Sequence, residues 1–302
     1  AQASEQSDLA IVVIGRTAGE DKDNSATEGS YLLTAAEEEI LRNVCHAFEQ
    51  TIVVLNVGNI MDMKWVDRYQ PQAVLYVWQG GQEGGRAAAD VLTGKVNPGG
   101  KLSDTIAVDI EDYPSTENFG DPVENFYTED IYVGYRYFET FARDKVKYPF
   151  GFGLSYTRFQ TETMGLAVRG TEVTAIEKVT NVGGVSGRET IQVYVEAPQG
   201  KLGKPLRQLV AYAKTEDLKP GESEELVLKA ELTEFASYDD SGVTGHKSCY
   251  VLEAGDYIFY VGTDVRSARE VGRVTLAELQ VVRTATEALA PVQAFKRLRP
   301  FF

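Results

Sequence analysis

The chain has 302 residues, 43% of them apolar and 10% aromatic, and its formal net charge is −15. This length predicts about two domains, each with its own core, and the composition is that of a globular rather than a disordered protein. The sequence has no run of roughly 18 apolar residues, so it predicts no membrane-spanning helix. The negative charge argues against nucleic acid and anionic membranes as partners.

The acidity lies in the first half of the chain. Residues 1–157 carry 25 Asp and Glu against 12 Lys and Arg, whereas residues 158–302 carry 20 against 18. Such a distribution suits a neutral or cationic ligand better than a phosphorylated one. The simpler interpretation is that an acidic surface keeps the protein soluble.

Strand and helix patterns alternate in the first half. The predicted elements are, in chain order, a strand at 9–15, a helix at 34–48, strands at 51–58 and 73–80, and a helix at 83–94. The first strand, LAIVVIG, is apolar throughout, which is typical of a strand buried on both faces. Thr34 and Glu37 have the spacing of a capping box at the start of the first helix.

This alternation predicts a mostly parallel sheet with helices packed on it. The loops that follow parallel strands open at the carboxyl edge of the sheet, where α/β proteins bind ligands. One of these loops is the charged segment RTAGEDKDN at 16–24. Its carboxylates are either solvated loop residues or members of a catalytic site.

Past residue 157 the pattern changes to short stretches in which apolar and polar residues alternate, separated by turn clusters such as NVGGVSG and LKPGES. That pattern predicts an antiparallel β-sandwich of about seven strands. The boundary is expected near 148–159, which is rich in Pro and Gly. We therefore predict an α/β domain at 1–157, a β-sandwich at 158–282 and a linker or docking tail at 283–302.

Cysteine and histidine are scarce, with two residues of each. Cys45 and Cys249 lie far apart and have no metal-type spacing, so both are predicted to be reduced or buried thiols. His46 and His246 have no neighbours suited to a catalytic triad or a multi-His metal site, and His46 is interpreted as a structural helix residue. The sequence therefore predicts neither a metal nor a cofactor.

Six stretches together are characteristic of a known family. They are VWQGGQEGGRAAADVLTGKVNPGGKL (77–102), EDIYVGYRYFET (129–140), PFGFGLSYTRF (149–159), TNVGGVSGRETIQVYVEAP (180–198), KPLRQLVAYAKTEDLKPGESEEL (204–226) and EAGDYIFYVGTD (253–264). Over roughly 8–282 the chain resembles glycoside hydrolase family 3. The resemblance is to the α/β-sandwich domain and the fibronectin type III-like domain of a β-glucosidase of that family.

This resemblance implies a retaining, exo-acting β-glucosidase that removes terminal β-D-glucosyl residues from oligosaccharides such as cellobiose. In the family, an Asp nucleophile lies on a separate (β/α)8 barrel and a Glu general acid/base on a loop after a strand of the α/β domain. The matching Gly-Glu pair here is Gly19-Glu20, which makes Glu20 the expected acid/base. Asp21-Lys22-Asp23 departs from the usual continuation, so Glu28 is kept as a reserve candidate.

Weaker candidates for contacts with the sugar are Arg16, Asp21 and Gln82. The glycine-rich stretch WQGGQEGG (78–85) lacks the P-loop pattern and is interpreted as a tight turn between strand and helix. The aromatic residues Tyr132, Tyr135, Tyr137 and Phe138 are suited to stacking on sugar rings. Packing of these four in a strand and in the core is the favoured interpretation.

The family's Ser-Asp-Trp-like nucleophile stretch is absent from this sequence, because neither Trp65 nor Trp78 follows Ser-Asp. The resemblance also implies an earlier strand and helix before Leu9. We therefore expect part of an enzyme, inactive alone, whose partner is a barrel domain or chain carrying the nucleophile. The tail after 282 would suit a barrel that follows rather than precedes this chain.

The other expected partners are a β-glucoside substrate and a second copy of the chain in a homodimer. Residues 1–8 lack the basic and apolar segments of a signal peptide, which says little about localisation in a chain that resembles part of an enzyme. The location stays open, with a cytoplasmic one slightly favoured. Two alternatives to a β-glucosidase stay open. One is a β-xylosidase of the same family, and the other is a non-catalytic carbohydrate-binding or structural module.

Overall fold

The computed structural model describes residues 2–17, 23–291 and 293–300. It divides into two compact units, Ala1–Val96 with Ile106–Tyr113, and Asn97–Thr105 with Pro114–Phe302. The domain bounds inferred from the sequence stay predictions. No helix within the described ranges is long and apolar enough to cross a membrane.

The first unit is built around a small parallel sheet. Its elements are, in chain order, β1 (Leu9–Gly15), α1 (Ala35–Ala47), β2 (Gln50–Asn56), α2 (Lys64–Tyr69), β3 (Ala73–Tyr76), α3 (Gly84–Leu92), β4 (Ile106–Ala107) and a 3-10 turn at Ile110–Asp112. The strand order is β1-β2-β3, and both pairs are parallel. The predicted parallel sheet is therefore confirmed.

Local sequence signals explain where these elements lie. β2 is central in the sheet and buries Val53, Val54 and Leu55. The expectation that β1 is buried on both faces is wrong, because β1 ends the described sheet and its residues 9, 11 and 13 are exposed. At the start of α1, the Glu37 N–H donates to Thr34 Oγ1 and the Thr34 N–H donates to Glu37 Oε2, at 3.2 and 2.8 Å. This is the predicted capping box.

The second unit is mostly β-structure. Its elements are, in chain order, α4 (Tyr135–Phe141), β5 (Val146–Tyr148), β6 (Phe159–Arg169), β7 (Glu172–Asn181), β8 (Thr190–Glu196), β9 (Gln208–Lys214), β10 (Ser223–Glu231), β11 (Ser237–Asp239), β12 (Cys249–Leu252), β13 (Gly255–Gly262), β14 (Arg269–Leu276) and β15 (Gln280–Thr284), with 3-10 turns at Arg143–Lys145 and Leu232–Phe235. The antiparallel sheets have the orders β10-β7-β6 and β14-β13-β8-β9, with a smaller sheet β11-β12-β15.

The first two of these sheets form the predicted sandwich, and they contain seven strands. Alternate residues of β7 enter the core, among them Val173, Ala175 and Val179. From the other sheet, Ile191 and Phe259 meet them and are fully buried. Period-two alternation in the sequence thus places the apolar residues on the shared inner faces.

The expectation of a strand at the aromatic stretch 129–140 is wrong. Residues 135–141 form the helix α4, which follows Gly134 with φ of +57°. Spacing by three residues places Tyr135 and Phe138 on adjacent turns of one helix face, a pattern that a strand would split between two faces. The core packing expected of this stretch does occur, since Tyr132 and Phe138 are both buried.

The chain end packs against the segment 126–130. The rings of Phe295 and Phe126 have centroids 5.9 Å apart, and the Leu298 N–H donates to the Thr128 carbonyl at 2.7 Å. Arg297 forms ion pairs with Asp130 and Asp240. The tail therefore contacts its own unit through both rings and charges.

Candidate active site

A small cleft opens at the carboxyl edge of the parallel sheet, between the loops that follow β1 and β2. The residues that line it are mostly polar: Arg16, Thr17, Asp23, Asn24, Gly29, Ser30, Val57, Asn59 and Ile60. This is the edge at which the sequence predicted a ligand loop. The charged segment 16–24 therefore begins and ends at the wall of the cleft.

Arg16 holds this wall in place through its guanidinium. Its Nε donates to the Ser30 carbonyl at 3.2 Å, Nη1 to the Gly15 carbonyl at 2.9 Å, and Nη2 to the Leu32 carbonyl at 3.3 Å. Nη1 and Nη2 also bind the two carboxylate oxygens of Glu37 at 2.6 and 2.8 Å. These five bonds use all five N–H donors of a guanidinium, and the side chain is 9% exposed.

Glu37 joins the Arg16 guanidinium to the first turn of α1, where it also accepts the capping-box bond from Thr34. Burial alone would raise the pKa of the Glu37 carboxyl. The hydrogen bonds from the Arg16 guanidinium and the Thr34 backbone outweigh burial, and the pKa lies below its ordinary value. Glu37 therefore stays charged as the partner of Arg16 at neutral pH.

Asn24 ties the loop after β1 to the loop after β2. Its Nδ2 donates to the Ile60 carbonyl at 2.9 Å, and its Oδ1 accepts from the Ser30 hydroxyl at 3.0 Å. On the other side of the charged segment, the Arg16 N–H donates to the Asn56 carbonyl at 3.1 Å. The segment is thus anchored to β2 and its loop on both sides.

The sequence-predicted site residues differ in where they lie. Glu20 and Asp21 fall outside the described residues, and Arg16 lies in the cleft wall. Glu28 is exposed and accepts a 3.4 Å hydrogen bond from the Ala35 N–H at the start of α1. Gln82 is exposed between β3 and α3, and neither Glu28 nor Gln82 is among the residues that line the cleft.

Sequence reasoning named none of the other five polar residues of the cleft as a site residue, although Thr17, Asp23 and Asn24 lie within the predicted ligand loop 16–24; the remaining two are Ser30 and Asn59. A signal for Asn59 was present, because the stretch NVGNI places it three residues past the end of the buried strand β2. Asn24 bonds the loop after β2 through its side chain, and the Ser30 hydroxyl bonds Asn24 within its own loop. No local sequence pattern reveals either bond.

Both cysteines lie within the described residues. Cys45, half-buried, and Cys249, buried, are free thiols. In the described ranges, no group of three or more His, Cys, Asp or Glu side chains is placed to hold a metal ion.

Two family models match the chain. One, described as the glycosyl hydrolase family 3 C-terminal domain, covers residues 1–156, and the other, a fibronectin type III-like domain, covers residues 189–265. The α/β unit with its carboxyl-edge cleft falls within the first match, and the strands β8, β9, β10 and β13 of the β-sandwich fall within the second.

Known proteins resemble nearly the whole chain. A β-glucosidase of Ruminococcus albus is 52% identical over 298 residues, which are 98% of this chain and 31% of that protein. β-Glucosidase A of Butyrivibrio fibrisolvens is 42% identical, with 99% of this chain and 41% of that protein covered. A solved β-glucosidase structure from Paenibacillus barengoltzii superposes with a TM-score of 0.97 at 54% identity, covering 100% of this chain and 34% of that one.

This chain therefore spans between about a third and two fifths of the length of these relatives. Because the first family model matches more than half of its residues, the chain belongs to glycoside hydrolase family 3, of which it carries the C-terminal domain followed by a fibronectin type III-like domain.

Proposed function

We propose that this chain supplies the general acid/base of a retaining, exo-acting β-glucosidase, and that Glu20 is the acid/base. The observation that carries the proposal is the cleft at the carboxyl edge of the parallel sheet. Residue 20 lies three positions from Thr17 and three from Asp23, which both line that cleft. Glu20 therefore belongs to a segment whose two ends are held at the wall of this cleft.

The chemistry requires a carboxyl on a projecting loop. A glycosidic oxygen leaves readily only if it is protonated as its bond to the sugar breaks, and such acid catalysis is worth about 10²–10⁴-fold. In retaining enzymes the acid/base stands roughly 5–5.5 Å from the nucleophile. The nucleophile is an Asp on a (β/α)8 barrel, so the acid must reach that domain from its own, as a loop can.

Glu28 is the less favourable candidate. Its carboxylate accepts a hydrogen bond from the first turn of α1, and it does not line the cleft. A carboxyl held by a helix start is less free to approach a substrate oxygen. Arg16 has all its donors engaged, so its role is to position the loop rather than to bind the sugar. Asp21 and Gln82 remain candidates for sugar contacts.

The substrate is a terminal β-D-glucosyl residue of an oligosaccharide such as cellobiose. The relatives from Ruminococcus albus and Butyrivibrio fibrisolvens are named β-glucosidases, and the excess of negative charge in residues 1–157 suits a neutral sugar. The partner is the barrel that carries the nucleophile, in keeping with the greater length of the relatives. Without that barrel the 33.3 kDa chain is expected to be inactive.

Glu20→Ala in the barrel-containing enzyme tests the proposal. Hydrolysis of cellobiose, which has a poor leaving group, should fall by about 10²–10⁴-fold. Aryl glucosides with good leaving groups should lose much less, and azide should restore part of their rate as a β-glucosyl azide product. Glu28→Ala is the matched control, with activity close to wild type.

Near-wild-type activity of Glu20→Ala on cellobiose would refute the assignment, and a collapse confined to Glu28→Ala would move the role to Glu28. Rates on aryl β-glucoside, β-xyloside and N-acetyl-β-glucosaminide then separate the β-glucosidase from a β-xylosidase. Lack of hydrolysis by the complete protein on any of them, with retained sugar binding, would favour a non-catalytic module.

A further inference from the structure

The strand β10 ends its sheet with an open edge. In the order β10-β7-β6 one side of β10 pairs with β7 over its full length, from Ser223 to Glu231, without a bulge. Among the described residues no strand pairs with the other side. That side faces a groove of about 350 Å³, lined by residues 209–212 of β9 and 227–229 of β10.

The ladder with β7 fixes which backbone groups of β10 are free. At its two ends the Asn181 N–H donates to the Glu222 carbonyl and the Leu232 N–H donates to the Thr171 carbonyl, both at 2.9 Å. In an antiparallel pair, hydrogen-bonded positions recur at every second residue. Even-numbered residues of β10 therefore bond to β7, and odd-numbered residues direct N–H and C=O to the open edge.

The odd-numbered residues are also those whose side chains face solvent. Ser223, Glu225, Val227 and Lys229 are all exposed, and Val227 is 56% exposed. Natural edge strands are protected by proline, by a bulge, by short length or by charged side chains such as Lys. β10 has nine residues, no proline and no bulge. Its exposed charges, Glu225 and Lys229, have opposite signs, so they disfavour most partner strands and favour one that places opposite charges against them.

Glu225 and Lys229 lie symmetrically about Val227, two residues to either side. If a second copy of β10 runs antiparallel across a two-fold axis at Val227, Glu225 faces Lys229 of the copy, and Lys229 faces Glu225. Opposite charges facing across strands stabilise a pair. No other two-fold register pairs these charges. An axis at Glu225 or at Lys229 would instead place like charges opposite each other.

We propose that the open edge of β10 is a self-association surface that pairs with β10 of a second copy of this chain, antiparallel and centred on Val227. Each facing pair of odd-numbered residues then exchanges two main-chain hydrogen bonds. Lys229 Nζ lies 3.1 Å from Glu172 and its side chain is 59% exposed, so the ammonium is accessible to Glu225 of the copy. The interface is isologous, as two-fold dimers require.

Charge reversal tests this register. In the full chain, Glu225→Lys or Lys229→Glu alone makes both contacts between positions 225 and 229 like-charged, and each should raise the dimer dissociation constant by at least about tenfold. An equimolar mixture of the two variants restores opposite charges at both contacts, so association should return as a heterodimer. The double variant E225K/K229E should dimerise as wild type does. Sedimentation velocity over about a hundredfold range of concentration measures all four.

Glu83→Lys and Arg86→Glu are the matched controls, since they make the same charge changes in an exposed ion pair of the other unit. Both should leave association unchanged. Circular dichroism confirms that each variant is folded. Monomeric wild-type chain at every concentration, or a dimer insensitive to both reversals, would overturn the proposal. In the first case an extended segment of another protein would become the candidate occupant of the groove.

Cross-linking checks the centre of the register independently. Hydrogen-bonded antiparallel partners have Cα atoms about 5.5 Å apart, which is within the range of a disulfide. Val227→Cys should therefore form a covalent dimer under mild oxidation, whereas Glu225→Cys should not, because its own copy lies four residues away along the strand. A Glu225→Cys dimer without a Val227→Cys dimer would contradict the register.

Discussion

Arg16 and Glu37 lie 21 residues apart in the sequence, and their side chains form a two-point ion pair with N–O distances of 2.6 and 2.8 Å. The pair joins the end of β1 to the start of α1. Because Arg16 also bonds the carbonyls of Ser30 and Leu32, one guanidinium fixes the loop that forms the cleft wall. The geometry of the cleft therefore depends on a residue that has no donor left for a ligand.

Arg16→Lys should lower the free energy of unfolding by about 1–3 kcal/mol, since an ammonium cannot reproduce a planar two-point contact. Urea unfolding at pH 7 measures the change. Arg68→Lys is the control, because Arg68 also contacts both oxygens of one carboxylate, Glu38, but is 58% exposed. The control should change stability by less than about 0.5 kcal/mol. Equal effects at both positions would contradict the role given to Arg16.

Asp239 should contribute stability that depends on pH. Its buried carboxylate accepts hydrogen bonds from the Thr244 hydroxyl and from the N–H groups of Gly242 and Thr244, at 2.6–2.8 Å. Burial alone would raise the pKa of Asp239, but these bonds outweigh it and lower the pKa to about 2. In an unfolded chain the pKa is about 3.9.

The stabilisation from Asp239 is therefore complete above about pH 5 and is lost as the pH falls towards 2. Asp239→Asn should lower the free energy of unfolding by about 2 kcal/mol at pH 7 and by about half as much at pH 3. Asp217→Asn, at an exposed site nearby in sequence, is the control. A cost for Asp239→Asn that stays constant from pH 7 to pH 3 would rule out this linkage.

Glu177 should have the opposite effect of pH on stability from Asp239. It enters the sandwich from β7, is 3% exposed, and has an Oε2 atom without a hydrogen-bond partner among the described residues. Burial raises its pKa, although the Thr163 and Thr161 hydroxyls partly oppose the effect. Because the folded pKa is the higher one, the native state loses stability as the pH rises above the unfolded value of about 4.3.

Glu177→Gln should therefore stabilise the chain at pH 7, by about 1 kcal/mol, and the gain should vanish near pH 4. Urea unfolding at the two pH values measures both. Glu278→Gln removes a carboxylate from an exposed position and should have little effect at either pH. Destabilisation by Glu177→Gln at pH 7 would show that the charge is needed.

Lys204 and Glu253 form a buried ion pair, with N–O distance 2.5 Å and side chains 5% and 7% exposed. Burial lowers the pKa of Lys204, and the Glu253 carboxylate opposes this shift. Lys204→Met alone should cost about 3–5 kcal/mol, because it removes the cation that faces the buried Glu253 carboxylate. Adding Glu253→Gln should recover at least about 1 kcal/mol. Thermal unfolding of the two single variants and the double variant gives the coupling energy between Lys204 and Glu253. Strictly additive effects of the two substitutions would contradict the prediction.

Sequence patterns predicted the elements that depend on local signals. The apolar run of β1 and the capping box of Thr34 and Glu37 act over a few residues, so both could be recognised before folding. Glu177 also follows the period of its strand and falls on the inner face, as alternation requires. α4 was mistaken for a strand because its aromatic residues favour β-structure intrinsically, whereas their spacing by three residues decided the outcome.

The sequence predicted the position of the cleft but not the hydrogen bonds and ion pairs that form its wall. Parallel strands bring their following loops to one edge, which predicted where a site lies. The bonds of Arg16 with Glu37 and of Asn24 with Ile60 join distant parts of the chain, and no spacing rule encodes them. The role of Glu20 rested on family resemblance, because one carboxylate among 45 acidic residues carries no signal of its own.

The anchors Arg16 and Asn24 bound a stretch of seven residues, 17–23, without depending on its length. Closing a loop twice as long costs only about 0.6 kcal/mol more. Insertions between these anchors should therefore leave the sheet and the bonds of Arg16 and Asn24 intact while lengthening the segment that carries Glu20. Because the two anchors hold the ends of this segment, its length can change during evolution with little loss of stability.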